Sequence, residues 1–366
     1  MLCTRDGEVL GALPRFTVDT PWWMEVAPVV TAARDRYDVD VTVLRILETE
    51  ERWPPHGGAV SYLAEIDEPP SGLEVATVAV EDHPSRARWA RPGGVAELVA
   101  WADQFVDRTG PPQQLRTWNL SLVARLPTSN RPVWLKAVPP FMAHEGAVID
   151  LVGGIGPSLI ARDDGVVLLE HVEGEDQYDA PAGDRATMIR RWVDVQSRWD
   201  RAVDHLPDWR VDSFIAQAER FTVQPEVAAM LDELPARFAA LAECGVPETL
   251  VHGDFHAGNW RGTTLIDWAD SGIGHALFDR PAFFSGKGEL FEAELCPVWD
   301  DAWREAVPGS DPARAAHLVA PIAALRQALI YAIFVENIEP SEHCYHRLDT
   351  EEWINRAVAL RSRSPL

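Results

Sequence analysis

Lysine is nearly missing from this chain. Only Lys136 and Lys287 are lysines among 33 basic residues, and the others are arginines. A chain that otherwise avoids lysine keeps these two by chance or for a chemical reason. Positive charge as a whole is scarce, because 57 acids leave a formal net charge of −24. That balance excludes a nucleic-acid partner, whose phosphates need a Lys/Arg face, and argues equally against anionic membrane surfaces. Cysteine is sparse too: Cys3, Cys244, Cys296 and Cys344 lie far apart, without paired or metal-like spacing, and fit a reducing compartment. No uninterrupted apolar run approaches the roughly 18 residues of a membrane span. The opening "MLCTRDGEVLG" lacks the charged-then-apolar shape of a signal peptide. A cytoplasmic protein is expected, with no membrane contact. Internal repeats and low-complexity tracts are absent as well.

What is present is ordinary globular material. Hydrophobic residues make up 46% and charged residues 25%, and 366 residues can bury a large core in two or three compact units. The acidic surface either steers cationic small molecules or serves solubility alone.

Three segments follow. In the first, residues 1–105, the stretches Val39 to Glu48, Gly58 to Asp67 and Leu73 to Glu81 have the β-branched content of strands, separated by "WPPHGG" and "EPPSG". An amphipathic stretch, Trp22 to Tyr37, precedes them, with Pro28 as a kink or late start. This predicts a helix-plus-strands cap module that carries no chemistry. In the second, 106–173, "LRTWNLSLVARLP" and "RPVWLKAVP" look like an antiparallel hairpin joined through "TSN". "FMAHEGAVIDLVGG" predicts a helix ending at Gly153-Gly154, and "GVVLLEHVEG" a buried strand. The third, 174–366, is mostly helical, with spacings near 3.6 residues in "RATMIRRWVDVQSRWDRAV", "PEVAAMLDELPARFAALAE" (Pro225 to Glu243), "HLVAPIAALRQALIYAIFVENI" and "TEEWINRAVALR" (Thr350 to Arg361).

The helices are interrupted by "LVHGDFHAGNWRGTTLIDWAD", Leu250 to Asp270. A tiny hairpin turning at Gly262-Thr263 would return Asp267 close to Asn259, so that Asp254, Asn259 and Asp267 converge. An acid, an amide and an acid make the oxygen-rich site that Mg²⁺ prefers, with phosphates and water completing its shell. Phosphoryl transfer needs that arrangement, a carboxylate beside the accepting hydroxyl, and a cation on the α/β-phosphates. Lys136, on a predicted strand, is such a cation. Glu145, nine residues later on a predicted helix, could hold it by an ion pair.

These residues resemble the aminoglycoside phosphotransferase family, small-molecule kinases with the protein-kinase-like fold. The motif H-G-D-x-x-x-x-N stands as His252, Gly253, Asp254 and Asn259, followed by I-D-W-x-D at Ile266 to Asp270 and G-x-x-x-x-D at Gly274 to Asp279. The similarity covers about residues 112 to 360. It implies an α+β, bilobal fold: a small β-rich N-lobe and a mostly helical C-lobe, here with an extra N-terminal α/β module. It also implies ATP and Mg²⁺ as cofactors and a small-molecule hydroxyl as acceptor. Asp254 would be the catalytic base, Asn259 and Asp267 the Mg²⁺ ligands, and Lys136 with Glu145 the phosphate-gripping pair. The backbone from Glu170 to Val172 would form the adenine-binding hinge, and Asp279 would brace the catalytic loop.

Departures from kinase patterns carry information. Gly253 stands where protein kinases have the Arg that holds an activation-loop phosphate, and no A-P-E follows, so a protein substrate is not expected. The turn before Ser121 has no glycine; the Ser121 hydroxyl or amide would serve the phosphates instead. The family's Leu-His pair near the end of the first C-lobe helix is replaced by "VDVQSRW".

Plainer roles stand beside these. His252 and His256 with Asp254 lack the companion spacing of a zinc site, which leaves His252 a hydrogen-bonding residue of the loop. Asp270 either touches substrate or caps the next turn, and Lys287 is read as an exposed loop residue. Trp299, Asp300, Glu336, Glu339 and Glu342 are acceptor-site candidates. Their carboxylates suit an amine-bearing acceptor such as an aminoglycoside or amino sugar; a neutral sugar alcohol or a non-sugar hydroxyl stays open. The expected activity is ATP-dependent O-phosphotransfer. A catalytically weak kinase-like protein that binds nucleotide or a partner is the alternative.

Overall fold

The computed structural model describes residues 1–366 except 21, 51–53, 77–80, 204, 222–224 and 366. The chain divides into two compact units. The first comprises Met1–Gly146, Ser158–His171 and Ile333–Leu348; the second comprises Ala147–Pro157, Val172–Ala332 and Asp349–Leu366.

The first unit holds two sheets. One is formed by β1 (Leu2–Arg5), β2 (Glu8–Ala12), β3 (Thr42–Thr49) and β4 (Val60–Glu65) in the order β2-β1-β4-β3. The β1–β4 pair is parallel, with Leu2 opposite Leu63, and the other pairs are antiparallel. Helix α1 (Ala27–Tyr37) carries Pro28 in its first turn, where a missing N–H costs nothing, so the proline marks a start and not a kink. The helix stops at Asp38, which turns left-handed and donates its N–H to the Arg34 carbonyl. Of the third predicted strand, Leu73 to Glu81, Glu74 bridges to Ala12, and 77–80 lie outside the described residues. Helix α2 (Gly94–Ala102) buries Val95, Leu98, Val99 and Ala102.

The second sheet contains β5 (Gln113–Trp118), β6 (Ser121–Leu126), β7 (Val133–Ala137), β8 (Leu159–Asp163) and β9 (Val166–Leu169) in the antiparallel order β5-β6-β7-β9-β8. Within "LRTWNLSLVARLP" the turn expected before Ser121 is present: Trp118 pairs with Ser121 across Asn119-Leu120, so only β6 forms the first arm of the hairpin with β7. The second predicted arm pairs with β6 as β7. Along β7, Val133, Leu135 and Ala137 are buried, and the alternation turns Lys136 to the opposite face. Helix α3 (Glu145–Val152) follows. Leu44, Leu63, Trp89, Leu98, Leu122, Leu135 and Leu168 share one core across both sheets. Burial of each such side chain stabilises by about 1.5–3 kcal/mol.

The segment 333–348 completes this unit from far along the chain. Arg86 makes a two-pronged contact with Glu339, with 2.9 Å from Nη2 to Oε2, and Arg45 lies 3.4 Å from the same carboxylate. Glu342 accepts from the Ile46 N–H at 3.2 Å, and burial pushes its carboxyl up to about 8. Tyr345 packs edge-on against Trp23 and Trp118. Glu339 and Glu342 are thus taken up by two buried arginines and a backbone amide, which corrects their reading as acceptor-site residues.

The second unit is mostly helical: α4 (Ala182–Ser197), α5 (Val211–Ala218), α6 (Pro225–Glu243), α7 (Arg280–Phe283), α8 (Glu292–Ala306), α9 (Pro312–Asn337, whose last turns join the first unit) and α10 (Asp349–Arg363). By length and composition α9 could cross a membrane, but 67% of its apolar window is buried inside the protein, as in a core helix. Two small antiparallel pairs interrupt the helices: β10 (Glu248–Val251) with β13 (Gly272–His275), and β11 (Trp260–Arg261) with β12 (Thr264–Leu265).

Candidate active site

The catalytic-loop motif leaves β10 at His252. Gly253 has φ +90°, and a Cβ on it would collide with the Asp270 carbonyl, so this position takes no side chain. The absence of the protein-kinase Arg therefore has a steric cause. Beneath the loop, Asp279 accepts from the backbone N–H groups of His252 at 2.9 Å and Gly253 at 2.8 Å, and from Trp192 Nε1 at 2.9 Å. Burial pushes Asp279 up to about 6, against the pull of these N–H groups. Gln196, in the stretch that lacks the family's Leu-His pair, donates to the Leu250 carbonyl at 2.9 Å and the Ala276 carbonyl at 3.2 Å, tying β10 and the turn that follows β13 to α4.

His252 is fully buried, which lowers its pKa to about 4 and keeps it neutral. Nε2 lies 3.1 Å from the Ile266 carbonyl and Nδ1 accepts from the Asp254 N–H at 3.3 Å, which fixes the tautomer. Both ring nitrogens are engaged within the loop, so His252 is a hydrogen-bonding residue and not a zinc ligand.

Asp254 follows with its side chain 45% exposed. Asn259 Nδ2 donates to its carbonyl at 2.9 Å and to Oδ2 at 3.1 Å, and His256 Nε2 lies 3.3 Å from Oδ2. Desolvation opposes ionisation of Asp254, but the His256 hydrogen bond and charge outweigh it and hold the carboxyl below its ordinary value. The same contact, again against desolvation, raises His256.

The hairpin turns at Gly262-Thr263, Trp260 pairing with Leu265 and Arg261 with Thr264. Ile266 N–H then donates to the Asn259 carbonyl at 2.9 Å, which brings Asp267 beside the loop. Asp267 has φ +67°, a left-handed conformation that Asp tolerates, and its negative charge acts on both Asp254 and His256. Because Asn259 donates through Nδ2, its Oδ1 remains an acceptor. An amide oxygen and a carboxylate suit Mg²⁺, which takes few protein ligands and fills its shell from phosphates and water. Among the described residues no group of three or more His, Cys, Asp or Glu is disposed to hold a metal.

Lys136 and Glu145 meet in the first unit, Nζ to Oε1 at 2.6 Å, with the carboxylate side chain 3% and the ammonium 12% exposed. Ser121 is buried, and its Oγ accepts from Trp118 Nε1 at 2.9 Å. Glu170 N–H donates to the Ser158 carbonyl at 2.9 Å, and the chain passes from the first unit to the second between His171 and Val172. The remaining acceptor candidates have other surroundings. Trp299 is fully buried among Phe255, Phe283 and Phe284, Asp300 pairs with Arg280 at 2.7 Å, and Glu336 is exposed on α9. Trp192 and Gln196 escaped sequence reasoning, although their spacing of four places them on one helical face. His256 was weighed only for zinc.

The phosphotransferase enzyme family (APH) matches residues 114–317, more than half of the chain. Among solved structures, a choline/ethanolamine kinase family protein from Mesorhizobium loti aligns with TM-score 0.53 and 17% identity, over 72% of this chain and 95% of its own. Choline kinase LicA from Streptococcus pneumoniae aligns with TM-score 0.55 and 15% identity, over 74% of this chain and 99% of its own. Choline kinase from Cryptosporidium parvum gives TM-score 0.51 and 10% identity over 74% and 97%. At such identities these structures establish the fold alone. No curated protein matches the chain significantly. With its motifs in order, its fold shared and more than half its length matched, the chain belongs to the phosphotransferase enzyme family.

Proposed function

We propose that the protein is an ATP-dependent O-phosphotransferase that moves the γ-phosphoryl group to a hydroxyl of a small molecule. The observation that carries this reading is the half-exposed Asp254 carboxylate, oriented by Asn259 and His256 on a loop whose backbone Asp279 grips from beneath. In the reaction Asp254 accepts a hydrogen bond from the acceptor hydroxyl and takes its proton as the new O–P bond forms. The bond from phosphorus to the β–γ bridging oxygen breaks, and ADP leaves with that electron pair. Lys136, braced by Glu145, holds the α/β-phosphates as a compact cation. The Glu170 to Val172 backbone receives the adenine, and the turn at Ser121 lies over the phosphates. Asn259 and Asp267 would hold Mg²⁺, which would supply neutralisation of the developing phosphate charge. The four free cysteines fit a cytoplasmic setting.

The test is Mg²⁺- and ATP-dependent ADP release with sugars, amino sugars, aminoglycosides and amino alcohols as acceptors. Asp254→Ala should lower kcat by about 10²–10⁴-fold with Mg²⁺-ATP affinity kept. Tight nucleotide binding without acceptor-stimulated turnover would instead identify a kinase-like binding protein.

A further inference from the structure

Tyr178 is one of the few large hydrophobic side chains left in solvent, 41% exposed, yet its ring is closely flanked. A Cβ on Gly258 of the catalytic loop would lie 2.9 Å from its Cδ2, and a Cβ on Gly286 would lie 2.6 Å from its hydroxyl. Two glycines thus leave the room that the ring occupies. Its backbone is clamped as firmly. Buried Arg185 donates to the Tyr178 carbonyl at 2.7 Å and the Ala180 carbonyl at 2.9 Å, and Gln177 donates to the Gly262 carbonyl of the hairpin at 2.7 Å. The ring meets His256 edge-on, centroids 6.2 Å apart, and His256 touches the Asp254 carboxylate. A rigid, solvent-facing aromatic one side chain away from the proposed base is placed for an acceptor and not for the core.

The surrounding groups narrow the acceptor's chemistry. Lys287 Nζ lies 5.5 Å from the Tyr178 ring centroid and pairs with Asp179. The ring's cation-binding capacity is already used by Lys287, so a second cation there would meet like charge. The pair is open to solvent, with side chains 51% and 78% exposed, and such pairs contribute little and exchange partners readily. Together they offer one donor group and one acceptor group beside an apolar face. A ring that bears hydroxyls on its rim and C–H bonds on its face needs that combination.

Given the phosphotransferase reading, we propose that Tyr178 with the Lys287–Asp179 pair forms the acceptor-recognition site and selects a neutral cyclic polyol, a sugar or cyclitol, over an amine. Lys287 then has a chemical reason to be one of the chain's two lysines.

The test is saturation-transfer NMR on the enzyme with Mg²⁺ and a non-hydrolysable ATP analogue, using glucose, myo-inositol, glucosamine and choline as probes. ADP release with the same compounds runs in parallel. A neutral ring should receive saturation, Tyr178→Ala should weaken its binding about tenfold, and Tyr178→Phe should retain it. Asp254→Ala should keep binding while losing ADP release. Unchanged Mg²⁺-ATP affinity in Tyr178→Ala would show that its fold survives; if it does not, Lys287→Ala carries the test with a threefold or greater loss expected. Binding of only the amines, neutral-ring binding indifferent to these substitutions, or no neutral-ring binding would overturn the proposal. Tyr178-dependent binding without ADP release would instead overturn the kinase reading and leave this site standing.

Discussion

At the scale of single residues, His256 sets the ionisation of Asp254. Its imidazole holds the Asp254 carboxyl low, so this carboxylate, the base of the proposed reaction, stays ionised as pH falls into the ordinary carboxylate range. Removing the imidazole removes that pull, and the Asp254 pKa must rise. In His256→Ala the acid limb of the kcat/KM profile is therefore expected at higher pH than in the parent; an unmoved limb would mean that His256 only packs the loop. Gly253 is as constrained, through space and φ alone. Gly253→Ala should cost about 3 kcal/mol or more, read as a lowered denaturant midpoint, because both the left-handed backbone and the Asp270 carbonyl oppose a methyl group. Asp254, Asn259 and Gly253 were legible because their spacing within one loop is local. Tyr178 was not legible, since nothing in "GEDQYDA" announces that its ring will lie against Gly258 and Gly286, about 80 and 108 positions away.

Among the elements, legibility followed periodicity. Helix α6 occupies the predicted stretch from Pro225 to Glu243, and α10 runs one residue before and two beyond the predicted stretch from Thr350 to Arg361, because their apolar spacing is regular. The β11–β12 hairpin was readable from Gly262-Thr263 between short apolar runs. The turn before Ser121 was readable as well, although Asn119-Leu120 makes it without glycine. The structure supplies other supports for that turn: Asn119 Nδ2 donates to the Glu342 carbonyl at 3.3 Å, and Trp89 Nε1 donates to the Trp118 carbonyl at 3.0 Å. Side chains from distant elements thus do what a flexible residue does elsewhere.

For the whole molecule, the acids of the 333–348 segment illustrate why composition misled. In a chain with 57 acids, a carboxylate cluster reads as a binding surface, yet Glu339 is an internal counter-charge to Arg45 and Arg86. Glu339→Ala would leave two guanidinium groups buried without it. A loss of about 3–5 kcal/mol is expected, seen as a depressed thermal midpoint; a shift within 1 °C would mean that the arginines repack without cost. That contact spans 253 positions, a separation local pattern cannot report. The separation also orders events on the ribosome. Domains ordinarily fold in the order they are synthesised, but here the first 146 residues await a segment that emerges after Ala332. The part of the protein made first cannot be completed until nearly the whole chain has emerged, and a nascent chain halted before Glu339 would keep Arg45 and Arg86 without their carboxylate.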